Sequence, residues 1–206
     1  PDQPGHKADE IWSCAMKEIV KLVSVLTVVC VLAGLSLSYV SSATQEARDY
    51  QDRLELLSSL SMVLPEHDNE PDKDVVEITD KTYYLAKKDG EINGVAFITS
   101  TDKGYSGLIR VIVGVQPDGE IISIGILEQK ETPGLGSKIT EDWFIDQYKG
   151  KSLENARWAV KKDNGDFEQI SGATISPRAV TGAVQKGLQA YQEDKQEILG
   201  GGDVVQ

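Results

Sequence analysis

LIRVIVGVQPDGEIISIGIL, residues 108–127, decides the fold class. Two β-rich runs, Leu108 to Val115 and Ile121 to Leu127, flank the pair Asp118-Gly119. Such a pair between apolar runs signals a hairpin, and a type I′ turn there needs positive φ at both central residues. Two antiparallel strands are therefore predicted. Upstream, strand character begins at Val75, with further strands over Thr82 to Lys87 and Val95 to Thr99. Asp89-Gly90 and Asn93-Gly94 are expected as turns, and Gly104 and Gly107 around Tyr105-Ser106 as a bend. Downstream, Trp158 to Lys162 reads as one more short strand, ended by Asn164-Gly165.

A helix closes this region. Ser176 is expected to cap the free N–H groups at its start, with Pro177 at the first helical position. Val180, Val184, Leu188 and Tyr191 then share a face, and Gly200, Gly201 and Gly202 end it. The fold class that results is α+β: an antiparallel-rich sheet with helices. The domain is placed at 75–196, with a tail over 197–206.

The N-terminal third differs in kind. From Leu22 to Val40 no residue is charged. At 1.5 Å per residue the run reaches roughly 28 Å, close to the ~30 Å hydrocarbon core of a bilayer. Lys17 and Lys21 flank its start, and Tyr39 lies at its end, where an aromatic ring suits the interface. Ser41-Ser42-Ala43 resembles a signal-peptide cleavage site, but the stretch before the run is long for an n-region. One transmembrane helix over 22–40 is expected, after an N-terminal cytoplasmic segment over 1–21. Lys7, Lys17 and Lys21 before the span, against Arg48 and Arg53 after it, set that orientation by a small margin. A helical linker over 41–74 follows: Leu54, Leu57, Leu60 and Val63 recur at helical spacing before Pro65. His67 to Asp72 is polar and reads as loop.

The 206 residues carry a net charge of -12. Such a chain repels phosphate backbones, so nucleic acid is not an expected partner. Cys14 and Cys30 form no CxxC motif, Cys30 reads as a small buried hydrophobe, and no metal-ligand spacing exists. No His follows the linker, which excludes a Ser-His-Asp arrangement in the domain. No catalytic residue is assigned, and Glu131, Asp166 and Glu168 read as surface or capping acids.

Two segments are richer than folding requires. Glu131-Thr132-Pro133-Gly134-Leu135-Gly136-Ser137-Lys138 has two glycines that let backbone approach a ligand, and a proline that stiffens the turn. It lacks the full P-loop spacing, and alone it reads as a strand-to-helix turn. Ser171-Gly172-Ala173-Thr174-Ile175-Ser176-Pro177 leads into a helix N-terminus, which favours an anion such as phosphate. An ordinary capped loop accounts for it equally well.

Together, in this order and behind one anchor, ETPGLGSK and SGATIS resemble the FMN-binding domain of the G subunit of the Rnf electron-transport complex. The C subunit of the sodium-pumping NADH:quinone reductase shares both motifs and is the alternative family member. The resemblance covers about Thr82 to Ala190 and the N-terminal span. It implies FMN esterified through its phosphate to Thr174 by a magnesium-dependent flavin transferase. It implies that Ser171, Gly172, Ala173 and Ser176 surround the acceptor, and that Glu131, Thr132, Gly134, Leu135 and Gly136 form the loop near the flavin. Glu168 stands where the family has Asp, and Ser176-Pro177 where it has Thr-Ser. The implied role is electron transfer in a ferredoxin:NAD oxidoreductase coupled to ion transport. The implied partners are other membrane subunits. The implied location is the inner, cytoplasmic membrane, with the FMN domain on the extracytoplasmic side. A membrane-tethered binding module without redox chemistry, or a structural subunit whose acidic domain docks partners, are the readings from other classes.

Overall fold

The computed structural model describes residues 5–200, with side chains from residue 21 onward except at 22, 42–43 and 46–49. Lys7, Cys14, Lys17 and Arg48, and the tail beyond Gly200, thus fall outside the described side chains. The chain divides into two compact units, residues 1–53 and 54–206.

In the first unit the chain is helical from Gly5, within α1 (Gly5–Val63). Val23–Ser41 is long and apolar enough to cross a membrane, and none of it is buried in protein. Cys30 is exposed with the rest, so among the described residues none buries it, contrary to the reading as a buried hydrophobe.

The second unit holds a five-stranded antiparallel meander, in spatial order β1 to β5. The strands are β1 (Val75–Ile78), β2 (Lys81–Lys88), β3 (Glu91–Thr101), β4 (Ile109–Val115) and β5 (Ile121–Glu128), and the short helix α2 (Asp142–Asp146) follows them. Alternation sorts their side chains. Tyr83, Leu85, Val95, Phe97, Val111, Val113 and Val115 belong to the main core with Val180, Val184, Leu188 and Tyr191 of α3 (Ile175–Leu199). Ala86, Ala96 and Ile112 turn to the other face, where Leu60, Val63 and Leu64 at the end of α1 cover them. Two positions on that face are glycine for a reason. A Cβ on Gly94 would meet Pro65 Cδ at 2.5 Å, and one on Gly114 would stand 2.7 Å from the Val63 carbonyl carbon. The sheet is thus covered on both sides, which is why β4 reads as an almost unbroken apolar run.

Three local expectations fail. The β4–β5 connection is not a type I′ turn: Gly119 has φ 104° but Asp118 is not among the positive-φ residues. Pro117 fixes its own φ near -65°. The Gly119 N–H donates to Gln116 O, so glycine occupies the last turn position instead. Asn93-Gly94 is not a turn but lies inside β3, where Gly94 pairs with Ala86. Asp89-Gly90, both with positive φ, makes that turn alone. Trp158 to Lys162 forms no strand. Val160 makes one isolated bridge to Phe167, and a 3-10 turn (Lys161–Asp163) then takes up the backbone donors. What holds this segment is aromatic packing: the Phe167 ring lies 4.7 Å from Tyr148 and 4.9 Å from Trp158.

Candidate functional site

Three chain segments meet at the start of α3. β5 leads into the loop 129–135, which tightens into a 3-10 helix (Gly136–Thr140). Gly134 takes φ 74°, and its N–H donates to Ser137 Oγ at 2.9 Å. The second segment, 171–174, turns at Gly172 with φ 79°; the Ala173 N–H donates to Ile170 O. The third is the bend 104–107 between β3 and β4, where Gly107 has φ 106°.

Glu131 ties the three together. It is 4% exposed, so it is not the surface acid the sequence suggests. Its carboxylate accepts from the Ser106 N–H at 2.9 Å, the Tyr105 N–H at 3.3 Å and the Ser176 hydroxyl. A buried carboxylate is costly unless its oxygens are satisfied, and here three donors satisfy them. Ser176 is buried by the same contact and therefore does not cap the helix, as its sequence position suggested. Gly136 is required beneath: a Cβ there would lie 2.7 Å from both Glu131 Oε2 and Ser176 Oγ.

Thr174, not Ser176, precedes the helix, and its side chain makes no capping hydrogen bond. The first bond of the helix backbone runs from the Arg178 N–H to Thr174 O. The amides before it have no intrahelical partner, and Pro177 has no N–H at all. Arg178 itself pairs with Asp163 at 2.5 and 2.7 Å, which holds the Asp163 carboxyl below the usual range. Glu168 pairs with Lys161, and Asp166 with Arg157.

Between the three segments lies a cleft of about 310 Å³. Glu131, Thr132, Leu135, Gly136, Gly172, Ala173, Thr174 and Ser176 line it, so the two sequence motifs form one site. Ser171 and Gly134 are not among its lining; both are exposed and shape the turns beside it. Tyr105 and Ile175 also line it, and the sequence reading gave neither a role. The glycines flanking Tyr105 were the available signal.

The fold and cleft define the class: residues 104–189 match the FMN-binding domain family, a span that begins at the bend and ends within α3. Over 181 residues the chain is 39% identical to the G subunit of the ion-translocating oxidoreductase complex of Cereibacter sphaeroides, covering 82% of each chain. It is 38% identical to the corresponding G subunit of Aliivibrio fischeri, covering 86% of this chain and 91% of that one. The chain belongs to this family, the G subunits of ion-translocating oxidoreductase complexes. Among solved structures it is similar to Shewanella oneidensis NqrC, with 25% identity and a TM-score of 0.50, covering 66% of this chain and 71% of that one.

The residues present fit FMN. A hydroxyl not used for capping stands before a 25-residue helix, where a phosphate group gains from unpaired amides and the helix dipole. Tyr105, Leu135 and Ile175 give the cleft apolar walls for a ring system. The Glu131 charge is taken up by its own three donors.

Proposed function

We propose that the protein is a membrane-anchored electron-transfer subunit of an Rnf-type ferredoxin:NAD oxidoreductase complex, holding FMN as a phosphoester of Thr174. The observation that carries this reading is the Thr174 hydroxyl, unused for capping, in a cleft at the N-terminus of α3. When bound, FMN supplies the redox chemistry, accepting and releasing electrons singly. The chain's own residues hold and orient it. The start of α3 stabilises the phosphodiester by about 0.3–1 kcal/mol. Gly172 keeps the approach to Thr174 open: a Cβ there would be in ordinary contact with Leu135 Cδ2 at 3.7 Å, yet φ 79° disfavours any side chain. Ser176, buried against Glu131, does not compete as an acceptor. Thr174 is partly exposed, so a flavin transferase can reach it during maturation.

The remaining assignments follow from the same family. The span Val23–Ser41 anchors the protein in the inner membrane, with the second unit on the extracytoplasmic side. Other membrane subunits pack against the span, where a Cβ on Gly34 would meet nothing within 4 Å and Ser38 lies one turn on.

The test is the mass of the tryptic peptide Asp163–Arg178 after co-expression with a flavin transferase. It should gain one FMN less one water, with fragmentation placing the addition on Thr174. Thr174→Ala should abolish the addition and leave the domain folded. An unmodified wild-type peptide would defeat the covalent reading, and a modified Thr174→Ala peptide would defeat the site.

A further inference from the structure

The bend 104–107 forms a wall of the cleft that neither motif of the sequence includes. Its side chain and its backbone are in opposite situations. The Tyr105 ring is 70% exposed, against 44% for both Leu135 and Ile175, the other exposed apolar residues of the cleft. Its main chain is fixed, with two successive amides held by a buried carboxylate. Gly104 and Gly107 hold the bend in shape. A Cβ on Gly104 would collide with Gly107 O and stand 2.8 Å from Glu131 Oε1, and Gly107 has φ 106°. An exposed aromatic ring gains nothing from so rigid a support unless something packs against it. Leu135 and Ile175, themselves part-exposed, line the same cleft.

We propose that Tyr105 is the aromatic partner of the flavin ring system in this cleft, and that Glu131 is the positioning residue that holds it there. The inference rests on the proposed function, because the ring in question is that of FMN on Thr174. Glu131 reaches across the cleft floor: it binds the bend on one side and Ser176 in the first turn of α3 on the other. One side chain thereby ties the bend that carries Tyr105 to the helix that follows Thr174. Aromatic pairs prefer offset or edge contacts, so a bound flavin would meet the phenol in one of these arrangements.

Stacking on tyrosine quenches flavin emission, which gives a readout independent of turnover. The full chain is co-expressed with a flavin transferase, and its emission yield is compared with that of the same sample denatured. Wild type should be quenched several-fold in the native state. Tyr105→Leu should recover most of the emission at equal flavin content, and Tyr105→Trp should stay quenched. Glu131→Gln replaces one acceptor oxygen by a donor, loosens the bend, and should give an intermediate yield with Tyr105 still present. Should that variant not accumulate, Ser176→Ala cuts the same tether from the helix side and is read in the same way. Equal emission in Tyr105→Leu and wild type overturns the role of Tyr105. Wild-type emission in Glu131→Gln or Ser176→Ala overturns that of Glu131. Both results, with Thr174 fully loaded, leave the proposed function standing; wild type without flavin defeats that function and this assignment together.

Discussion

Gly114→Ala tests how the last turns of α1 are seated on the sheet. The new Cβ would stand 2.7 Å from Val63 C and 2.9 Å from Val63 Cβ, and closer still to Val63 O. Ordinary carbon contacts are about 3.5–4.0 Å, so the helix end must retreat by about 1 Å. The obstacle is backbone, which has no rotamer to change. Leu60 and Val63, 1% and 0% exposed, sit on this seat. Each fully buried aliphatic side chain is worth about 1.5–3 kcal/mol, so undocking both costs about 3–6 kcal/mol. A partial retreat still costs the about 1–3 kcal/mol typical of overpacking. Against a usual domain stability of about 5–15 kcal/mol, either is a large fraction. Urea unfolding followed by tryptophan fluorescence should show the loss as a lower midpoint. Faster hydrogen exchange over residues 54–64 should place it at the helix end. Gly182→Ala is the control: its Cβ meets nothing within 4 Å, in a helix interior where alanine is preferred by roughly 0.5–1 kcal/mol. A Gly114→Ala protein within 1 kcal/mol (about the lower overpacking limit) of wild type, with exchange over 54–64 unchanged, would refute the reasoning.

Asp194→Asn should lower stability at pH 7 and flatten its acid dependence. Burial raises the Asp194 carboxyl, but hydrogen bonds from Tyr83 OH at 2.7 Å and Lys81 Nζ at 2.9 Å outweigh it and hold the group below its ordinary value. A depressed folded value gives stability that is complete above the unfolded pKa of about 3.9 and is lost as pH falls through the folded one. The side chain is 15% exposed and its bonds are charge-assisted, so about 1.5 kcal/mol should go; urea midpoints from pH 3 to 7 that run parallel in wild type and variant would contradict this. For orientation, single cysteine probes at Asp2 and Gln206 in a cysteine-free background should react oppositely in intact cells. Labelling of the Asp2 probe by an impermeant reagent would reverse the assigned topology.

What the sequence determined by itself was whatever depends on near neighbours along the chain. The uncharged run, the β-rich runs 108–115 and 121–127 and the 3.6-residue spacing of Val180, Val184, Leu188 and Tyr191 are local patterns, and each appears in its place. The two motifs were legible too, because their glycines and hydroxyls are consecutive residues. Only the tertiary structure decided which polar groups are spoken for. Asn93-Gly94 has turn chemistry, yet Pro65 packs against it and β2 pairs with it, so it is strand. Asp118-Gly119 has hairpin chemistry, but Pro117 dictates where the positive φ falls. Ser176 has the makings of a cap, but a carboxylate 45 residues earlier claims its hydroxyl and leaves Thr174 free before the helix. Burial, and with it the cost of an unsatisfied charge, is set by contacts between distant segments. No pattern within either segment encodes it.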